Sequence, residues 1–125
     1  IQDDDVYRLA EIRPLPLNLE MANVESIIEI ALSIKPEEVC LVPEKRQELT
    51  TEGGLEIAGQ FDRIKTAVDE LSSNNILVSL FIDADHKQIE AAARSGAPYI
   101  EIHTGHYADA ETEQEAAREL AIITA

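Results

Sequence analysis

Polar side chains recur on one face of three apolar segments of this 125-residue chain. Side chains of a β-strand point alternately to its two faces, so residues two apart share a face. The polar residues that share a face in this way are Asn18 and Glu20, then Ser79 and Asp83, then Glu101 and His103. Carboxyl and imidazole groups are the side chains that most often transfer protons in enzymes. The sequence therefore predicts a polar face on which proton transfer is chemically feasible.

The charged groups on these faces constrain the fold. Burying an unpaired carboxylate costs several kcal/mol, so an open sheet covered by helices on both sides is a poor host for Glu20, Glu101 and His103. The interior of a barrel of parallel strands accommodates such groups, because it becomes polar near the mouth at the carboxyl ends of its strands. The alternative is that Glu20 or Glu101 lies at a strand end and simply reaches solvent.

Helix and strand patterns alternate along the sequence. Helices are predicted at 3–12, 24–34, 57–71, 85–96 and 111–123, and strands at 15–22, 39–42, 76–82 and 99–102. This alternation favours an α/β fold with parallel strands joined by helical crossovers. Two architectures fit, a small flavodoxin-like open sheet or part of a (β/α)8 TIM barrel. A whole barrel needs roughly 200 residues or more, so four predicted strands do not close one.

Composition excludes several classes of protein. Ten basic against 25 acidic residues give a net charge of −15, and such a surface repels nucleic-acid phosphates and anionic lipid headgroups. We therefore expect neither nucleic acid nor a membrane as a partner. The single cysteine, Cys40, excludes an internal disulfide and is expected to be a buried, inert thiol. A reducing cytoplasm is the simplest compartment for such a chain.

Five collinear segments resemble one enzyme family. They are Asn-Leu-Glu-Met-Ala at 18–22, Cys-Leu-Val-Pro-Glu-Lys-Arg-Gln-Glu at 40–48, Thr-Thr-Glu-Gly-Gly-Leu at 50–55, Val-Ser-Leu-Phe-Ile-Asp-Ala-Asp at 78–85 and Ile-Glu-Ile-His-Thr-Gly at 100–105. In this order they resemble the pyridoxine 5′-phosphate synthases of vitamin B6 biosynthesis. The resemblance runs over essentially the whole chain.

The resemblance implies a fold, a reaction and an assembly. It implies a (β/α)8 barrel of which residues 1–125 form a central segment, roughly strands three to six with their helices, incomplete at both ends. It implies condensation of 1-deoxy-D-xylulose 5-phosphate with 3-amino-2-oxopropyl phosphate to pyridoxine 5′-phosphate, phosphate and water. Neither a metal nor an organic cofactor is expected, and the family usually assembles as a homo-octamer. The segment alone is expected to be inactive.

The same resemblance implies three site residues. Glu20 matches the family's catalytic glutamate, which transfers protons during ring closure. Glu101 matches a position that stabilises charged intermediates. Thr50 matches a position that binds the deoxyxylulose phosphate substrate, in a long loop that closes over the site.

Other interpretations predict different features. The His103-x-x-His106 spacing lacks an acidic third ligand in register, so no metal site is expected and His103 should hydrogen-bond within the barrel. A Schiff-base aldolase needs a lysine inside a strand, and none of the four predicted strands carries one. Another sugar-phosphate barrel enzyme and a non-catalytic flavodoxin-like binding module remain the alternatives.

Overall fold

A computed structural model describes residues 2–50 and 53–125 of the chain. Its helices are α1 (Asp3–Ile12), α2 (Glu25–Ile34), α3 (Phe61–Ser73), α4 (His86–Ser95), α5 (Gly105–Ala108) and α6 (Glu113–Thr124). Its strands are β1 (Asn18–Met21), β2 (Glu38–Leu41), β3 (Leu77–Ile82) and β4 (Tyr99–Ile102). Two short 3-10 turns, Arg46–Glu48 and Ala58–Gln60, lie between β2 and α3. The predicted alternation of helix and strand is confirmed.

The four strands form one parallel sheet in the order β1-β2-β3-β4. A flavodoxin-like sheet reverses its strand order at a switch point, whereas consecutive strands of a barrel are always neighbours. The sheet has the barrel order, and β1 and β4 are its two unpaired edges, so it is not closed. The α/β fold class is confirmed, and the sheet is consistent with part of a TIM barrel.

The aliphatic side of the sheet packs against the helices. The buried core combines strand residues that alternate along each strand with the apolar stripe of α3. Its fully buried members are Ala31, Val39, Leu41, Ile57, Ile64, Leu71, Val78, Leu80 and Ile82. We call the opposite side of the sheet, which carries the predicted polar residues, the inner face.

The segment before α3 departs from the predicted helix. Apolar spacing predicts a helix from residue 57, but α3 begins at Phe61 after the 3-10 turn Ala58–Gln60. The reason is a buried amide from α4: the Gln88 side-chain oxygen accepts from the backbone amides of Ile57 at 2.8 Å and Ala58 at 3.2 Å. The two amides are bonded to a side chain 30 or 31 residues away, and the regular helix begins only after them. No local pattern of apolar residues predicts such a distant partner.

Helix α4 begins and ends at the residues that the sequence predicts for its two caps. Asp85 precedes the helix, and its side chain accepts from the backbone amide of Gln88 at 3.1 Å, as an N-cap does. Gly96 ends the helix with a φ of 87°, a conformation that favours glycine. Helix α4 connects β3 to β4, and the two strands pair with Phe81 opposite Glu101.

No helix of the described ranges 2–50 and 53–125 has the length and apolar character needed to cross a membrane.

Candidate active site

Glu20 and Glu101 project from the inner face of the sheet. Glu20 is opposite Cys40 in the register of β1 and β2, and Cys40 is opposite Ser79 on β3. Glu101 lies two strands from Cys40 and accepts a 2.8 Å hydrogen bond from the Ser79 hydroxyl. Since residues opposite each other in a sheet share a face, both glutamates are on the face away from the helices.

The two glutamates line one open cavity of about 370 Å³. Other lining residues come from the inner face and from the segment after β2: Phe81, Pro43, Leu49 and Gly53. Glu20 is exposed and Glu101 is half-buried, so both carboxylates reach the cavity without being sealed from water. The structure thus brings together the two acids that the resemblance singles out.

The floor between the glutamates is a buried thiol and a buried hydroxyl. Cys40 is fully buried and Ser79 nearly so. Burial is the main cause that raises the pKa of the Cys40 thiol to about 12, and the charges of Glu101 and Glu20 raise it further. Both carboxylates are therefore close enough to Cys40 to act on its charge. The thiol is neutral at physiological pH, as its expected inertness requires.

Thr50 lies in the segment between β2 and α3, of which the structure describes residues 42–50 and 53–60; we call these described residues the β2–α3 loop. Its hydroxyl donates to the carboxylate of Asp83 at the end of β3 and accepts from the backbone amide of Gly53 at 3.1 Å. Leu49, the residue before Thr50, and Gly53, whose amide bonds to the Thr50 hydroxyl, line the cavity. Thr50 is therefore beside the cavity, with its hydroxyl proton directed at Asp83. Thr51 and Glu52 of the same motif lie outside the described residues.

Glu48 connects the β2–α3 loop to neighbouring elements. Its buried carboxylate accepts from the backbone amides of Glu44 at 3.0 Å and Lys45 at 3.3 Å, and from Arg63 of α3 at 3.3 Å. Arg63 also donates to the backbone oxygen of Asn23, after β1. Burial on its own raises the pKa of Glu48, but these donors outweigh burial and lower it below the usual value. Glu48 is thus an ionised acceptor that shapes the loop.

His103 is part of a hydrogen-bonded pair at the end of β4. Its Nδ1 lies 3.2 Å from the Asp83 carboxylate, and its ring meets that of Phe81 edge-on with centroids 5.2 Å apart. The expected hydrogen bond of His103 is confirmed. Within the described residues, no group of three or more His, Cys, Asp or Glu side chains is arranged to hold a metal ion.

The two glutamates at the open cavity suit proton transfer to a molecule that is bound there and still in contact with water. The exposed carboxylate of Glu20 reaches both the cavity and water, as a proton-transferring group must, and the carboxylate of Glu101 is oriented by Ser79. Sequence reasoning gave Ser79 and Asp83 no role beyond being polar. Strand alternation places them on the inner face, but no sequence signal pairs Ser79 with Glu101 or Asp83 with Thr50.

Comparison with known proteins supports the resemblance. A family model described as "Pyridoxal phosphate biosynthesis protein PdxJ" matches residues 1–125. A pyridoxine 5′-phosphate synthase of Photobacterium profundum is 58% identical over 120 residues, which are 96% of this chain and 49% of that protein. The synthase of Coxiella burnetii is 59% identical over 115 residues, which are 92% of this chain and 48% of that protein. The synthase of Aliivibrio fischeri is 56% identical over 125 residues, which are 100% of this chain and 51% of that protein.

This chain therefore spans about half the length of the curated relatives that it matches. The family model matches residues 1–125, a range that contains all four strands and the β2–α3 loop. The predicted family is confirmed: the chain belongs to the PdxJ family of pyridoxal phosphate biosynthesis proteins.

Proposed function

We propose that this chain contributes the central part of a pyridoxine 5′-phosphate synthase. The reaction would condense 1-deoxy-D-xylulose 5-phosphate with 3-amino-2-oxopropyl phosphate and release phosphate and water. The observation that carries the proposal is the cavity shared by Glu20 and Glu101 in a member of the PdxJ family. Both substrates are small and phosphorylated, in keeping with a cavity of about 370 Å³.

Glu20 is proposed as the proton-transferring residue. Ring closure by condensation requires imine formation, enolisation and the elimination of phosphate and of water, and each of these steps moves a proton. An exposed carboxylate at the cavity exchanges protons with both substrate and solvent. Its position at the cavity supports this role.

Glu101 is proposed to stabilise cationic intermediates. A condensation between an amine and a carbonyl passes through an iminium ion, and a carboxylate fixed beside it lowers its energy. The hydrogen bond from Ser79 supports this role, because it fixes one carboxylate oxygen in place. Thr50 is proposed to bind the deoxyxylulose phosphate, supported by its position between the cavity-lining residues Leu49 and Gly53.

The whole enzyme is proposed to be a single (β/α)8 barrel in which residues 1–125 supply strands three to six. The sequential strand order and the two open sheet edges support this, as does the twofold greater length of the relatives. We further propose a homo-octamer in the cytoplasm, on the strength of the family resemblance. Light scattering of the purified protein tests the octamer, and any smaller stable mass contradicts it.

The decisive experiment is an assay on the protein made from its complete gene. Purified protein is incubated with the two phosphorylated substrates, and pyridoxine 5′-phosphate and inorganic phosphate are quantified together. Equal amounts of the two products support the proposal, since the reaction releases one free phosphate for each ring closed. Absence of the pyridine ring under conditions in which a curated relative makes it would contradict the proposal.

A further inference from the structure

One buried carboxylate, that of Asp83, receives hydrogen bonds from two separate elements. It accepts from the hydroxyl of Thr50 and from the backbone amide of Gly54, whose nitrogen lies 3.1 and 3.2 Å from its two oxygens. His103 Nδ1 lies 3.2 Å from the same group. The Asp83 side chain is only 4% exposed. Asp83 follows β3, so it connects the β2–α3 loop and β4 to the end of the central strand.

The loop backbone runs directly against this strand end. A Cβ added to Gly54 would lie 2.5 Å from the backbone nitrogen of Asp83 and 2.9 Å from its Cγ, closer than atoms of folded proteins approach. The next amide, that of Leu55, donates to the backbone oxygen of Phe81 at 2.8 Å. The close approach and the hydrogen bonds are independent observations, and both locate the same loop segment on the end of β3.

The carboxylate of an aspartate suits this position better than the amide of an asparagine. A carboxylate accepts hydrogen bonds and donates none, whereas an asparagine of the same shape presents an NH2 group to one of the donors. In either orientation that NH2 group replaces one of the two acceptor oxygens that Thr50, Gly54 and His103 face, so the cluster loses one acceptor, and a buried donor without an acceptor is costly. The Gly54 amide and the Thr50 hydroxyl therefore require acceptor oxygens at position 83 and not only a side chain of the right size.

We propose that Asp83 is a positioning residue that fixes the β2–α3 loop, and with it Thr50, beside the cavity. This inference rests on the proposed function for the substrate role of Thr50. Leu49 and Gly53 are part of the cavity lining, and Thr50 lies between them. Asp83 itself is almost fully buried, so it acts on the substrate through the loop and not by contact.

The proposal predicts which kinetic constant changes. Without the Asp83 carboxylate the loop loses its fixed position, so binding of the deoxyxylulose phosphate weakens while Glu20 and Glu101 stay in place. In the full-length protein, Asp83→Asn is expected to raise KM for that substrate about tenfold and to leave kcat within about twofold. Asp69→Asn is the matched control, because Asp69 is an exposed carboxylate on α3 that pairs with Lys65 four residues away. The kinetics of this variant should equal those of the unmodified protein.

A double-mutant cycle separates positioning from a merely structural role. If Asp83 acts through Thr50, the KM of Asp83→Asn with Thr50→Ala should match that of the worse single variant. If the two fold-changes multiply, the residues act independently and the proposal is overturned.

Hydrogen exchange tests the proposal without any assay of activity. The Leu55 and Glu56 amides bond to the backbone oxygens of Phe81 and Glu48 and not to Asp83, so they report movement of the whole loop. In Asp83→Asn these amides should exchange about tenfold faster, while amides in the middle of β3 stay unchanged. Unchanged exchange at Leu55 and Glu56 would overturn the proposal.

Two outcomes are kept distinct by this design. If the unmodified protein forms no pyridoxine 5′-phosphate, the proposed function fails, and the exchange data still decide whether Asp83 positions the loop. If Asp83→Asn does not fold, Thr50→Val replaces it, because valine removes the hydroxyl donor and leaves the buried carboxylate in place. Faster exchange at Leu55 in Thr50→Val supports the proposal, and unchanged exchange overturns it.

Discussion

The Ser79 hydroxyl donates a 2.8 Å hydrogen bond to Glu101, the carboxylate on the neighbouring strand. Ser79 is nearly buried and Glu101 half-buried, so the bond crosses the boundary between the floor of the cavity and its open space. Hydrogen bonds to ionised acceptors are shorter and stronger than neutral ones. The bond therefore fixes one oxygen of Glu101, a residue that lines the cavity.

Removing this hydroxyl should weaken catalysis while the fold is retained. For Ser79→Ala we expect kcat/KM to fall about tenfold, the equivalent of roughly 1.4 kcal/mol for a bond to a charged group. The serine of α4 provides a control, because the Ser95 hydroxyl is also buried but donates to the backbone oxygen of Ala92, away from the cavity. Steady-state kinetics of Ser79→Ala and Ser95→Ala should differ, and equal losses would count against a specific role for Ser79.

Replacing either glutamate should lower kcat, but for a different chemical reason in each case. Glu20→Gln removes the proton-transferring group, and we expect kcat to fall by about 10² to 10⁴ while substrate binding persists. Glu101→Gln removes the fixed negative charge, with an expected loss of about 10² in kcat. Single-turnover assays and equilibrium substrate binding separate chemistry from affinity. Glu90→Gln, on the exposed side of α4, is the control; near-normal turnover by Glu20→Gln would remove Glu20 from its role.

The thiol of Cys40 should resist modification in the folded protein. Its pKa of about 12, against an ordinary value of 9.0, means that the folded state keeps the proton after the unfolded chain has lost it. Below pH 9.0 the thiol is protonated in both the folded and the unfolded state, so the contribution of Cys40 to the free energy of unfolding is fully present. That contribution is lost as pH rises from 9.0 towards 12. Denaturant unfolding across this range should show a falling free energy of unfolding.

The same thiol reports on the neighbouring carboxylate. Burial is the first cause of its raised pKa, and Glu101 adds to it through a hydrogen bond and through its charge. In Glu101→Gln the thiolate should therefore appear at lower pH than in the unmodified protein, as followed by its ultraviolet absorbance. An unaltered titration would show that the two side chains do not interact in solution.

Glu48 should stabilise the protein at neutral pH and not in acid. Its pKa is lowered from 4.5 because backbone and Arg63 donors outweigh the effect of burial, so its contribution is present above 4.5 and is lost as pH falls further. We expect Glu48→Gln to reduce the free energy of unfolding by about 1–3 kcal/mol at neutral pH. The difference from the unmodified protein should shrink in acid. A difference that is constant with pH would contradict an ionised Glu48.

Gly54 is expected to tolerate no side chain. A methyl group there would press on the backbone of Asp83 at 2.5 Å, so Gly54→Ala must displace either the loop or the end of β3. We expect a loss of about 1–3 kcal/mol in the free energy of unfolding, as for other overpacked sites. Gly59→Ala is the control, because the atoms nearest to its methyl group would belong to the flexible side chain of Glu56, at 3.4 Å. Equal stabilities of the two variants would argue against close packing at Gly54.

Local patterns in the sequence predicted the framework of this fold well. The spacing of apolar residues predicted four strands and their intervening helices, and alternation within strands predicted that Glu20 and Glu101 share a face. Helix ends such as Asp85 and Gly96 were readable because their signals lie within a few residues of the end. Helix α5 at Gly105–Ala108 went unpredicted, because four residues are too few to show a helical period.

The sequence by itself thus determined the polar and apolar faces of the strands, the alternation of helices and parallel strands, and the two glutamates, Glu20 and Glu101, on the polar face. Only the tertiary structure decided that Thr50 and Gly54 meet Asp83, that Gln88 sets where α3 begins, and that Ser79 orients Glu101. The reason is physical: apolar periodicity acts over one turn or two strand positions. Hydrogen bonds between residues 22 to 33 positions apart depend on how separate elements pack.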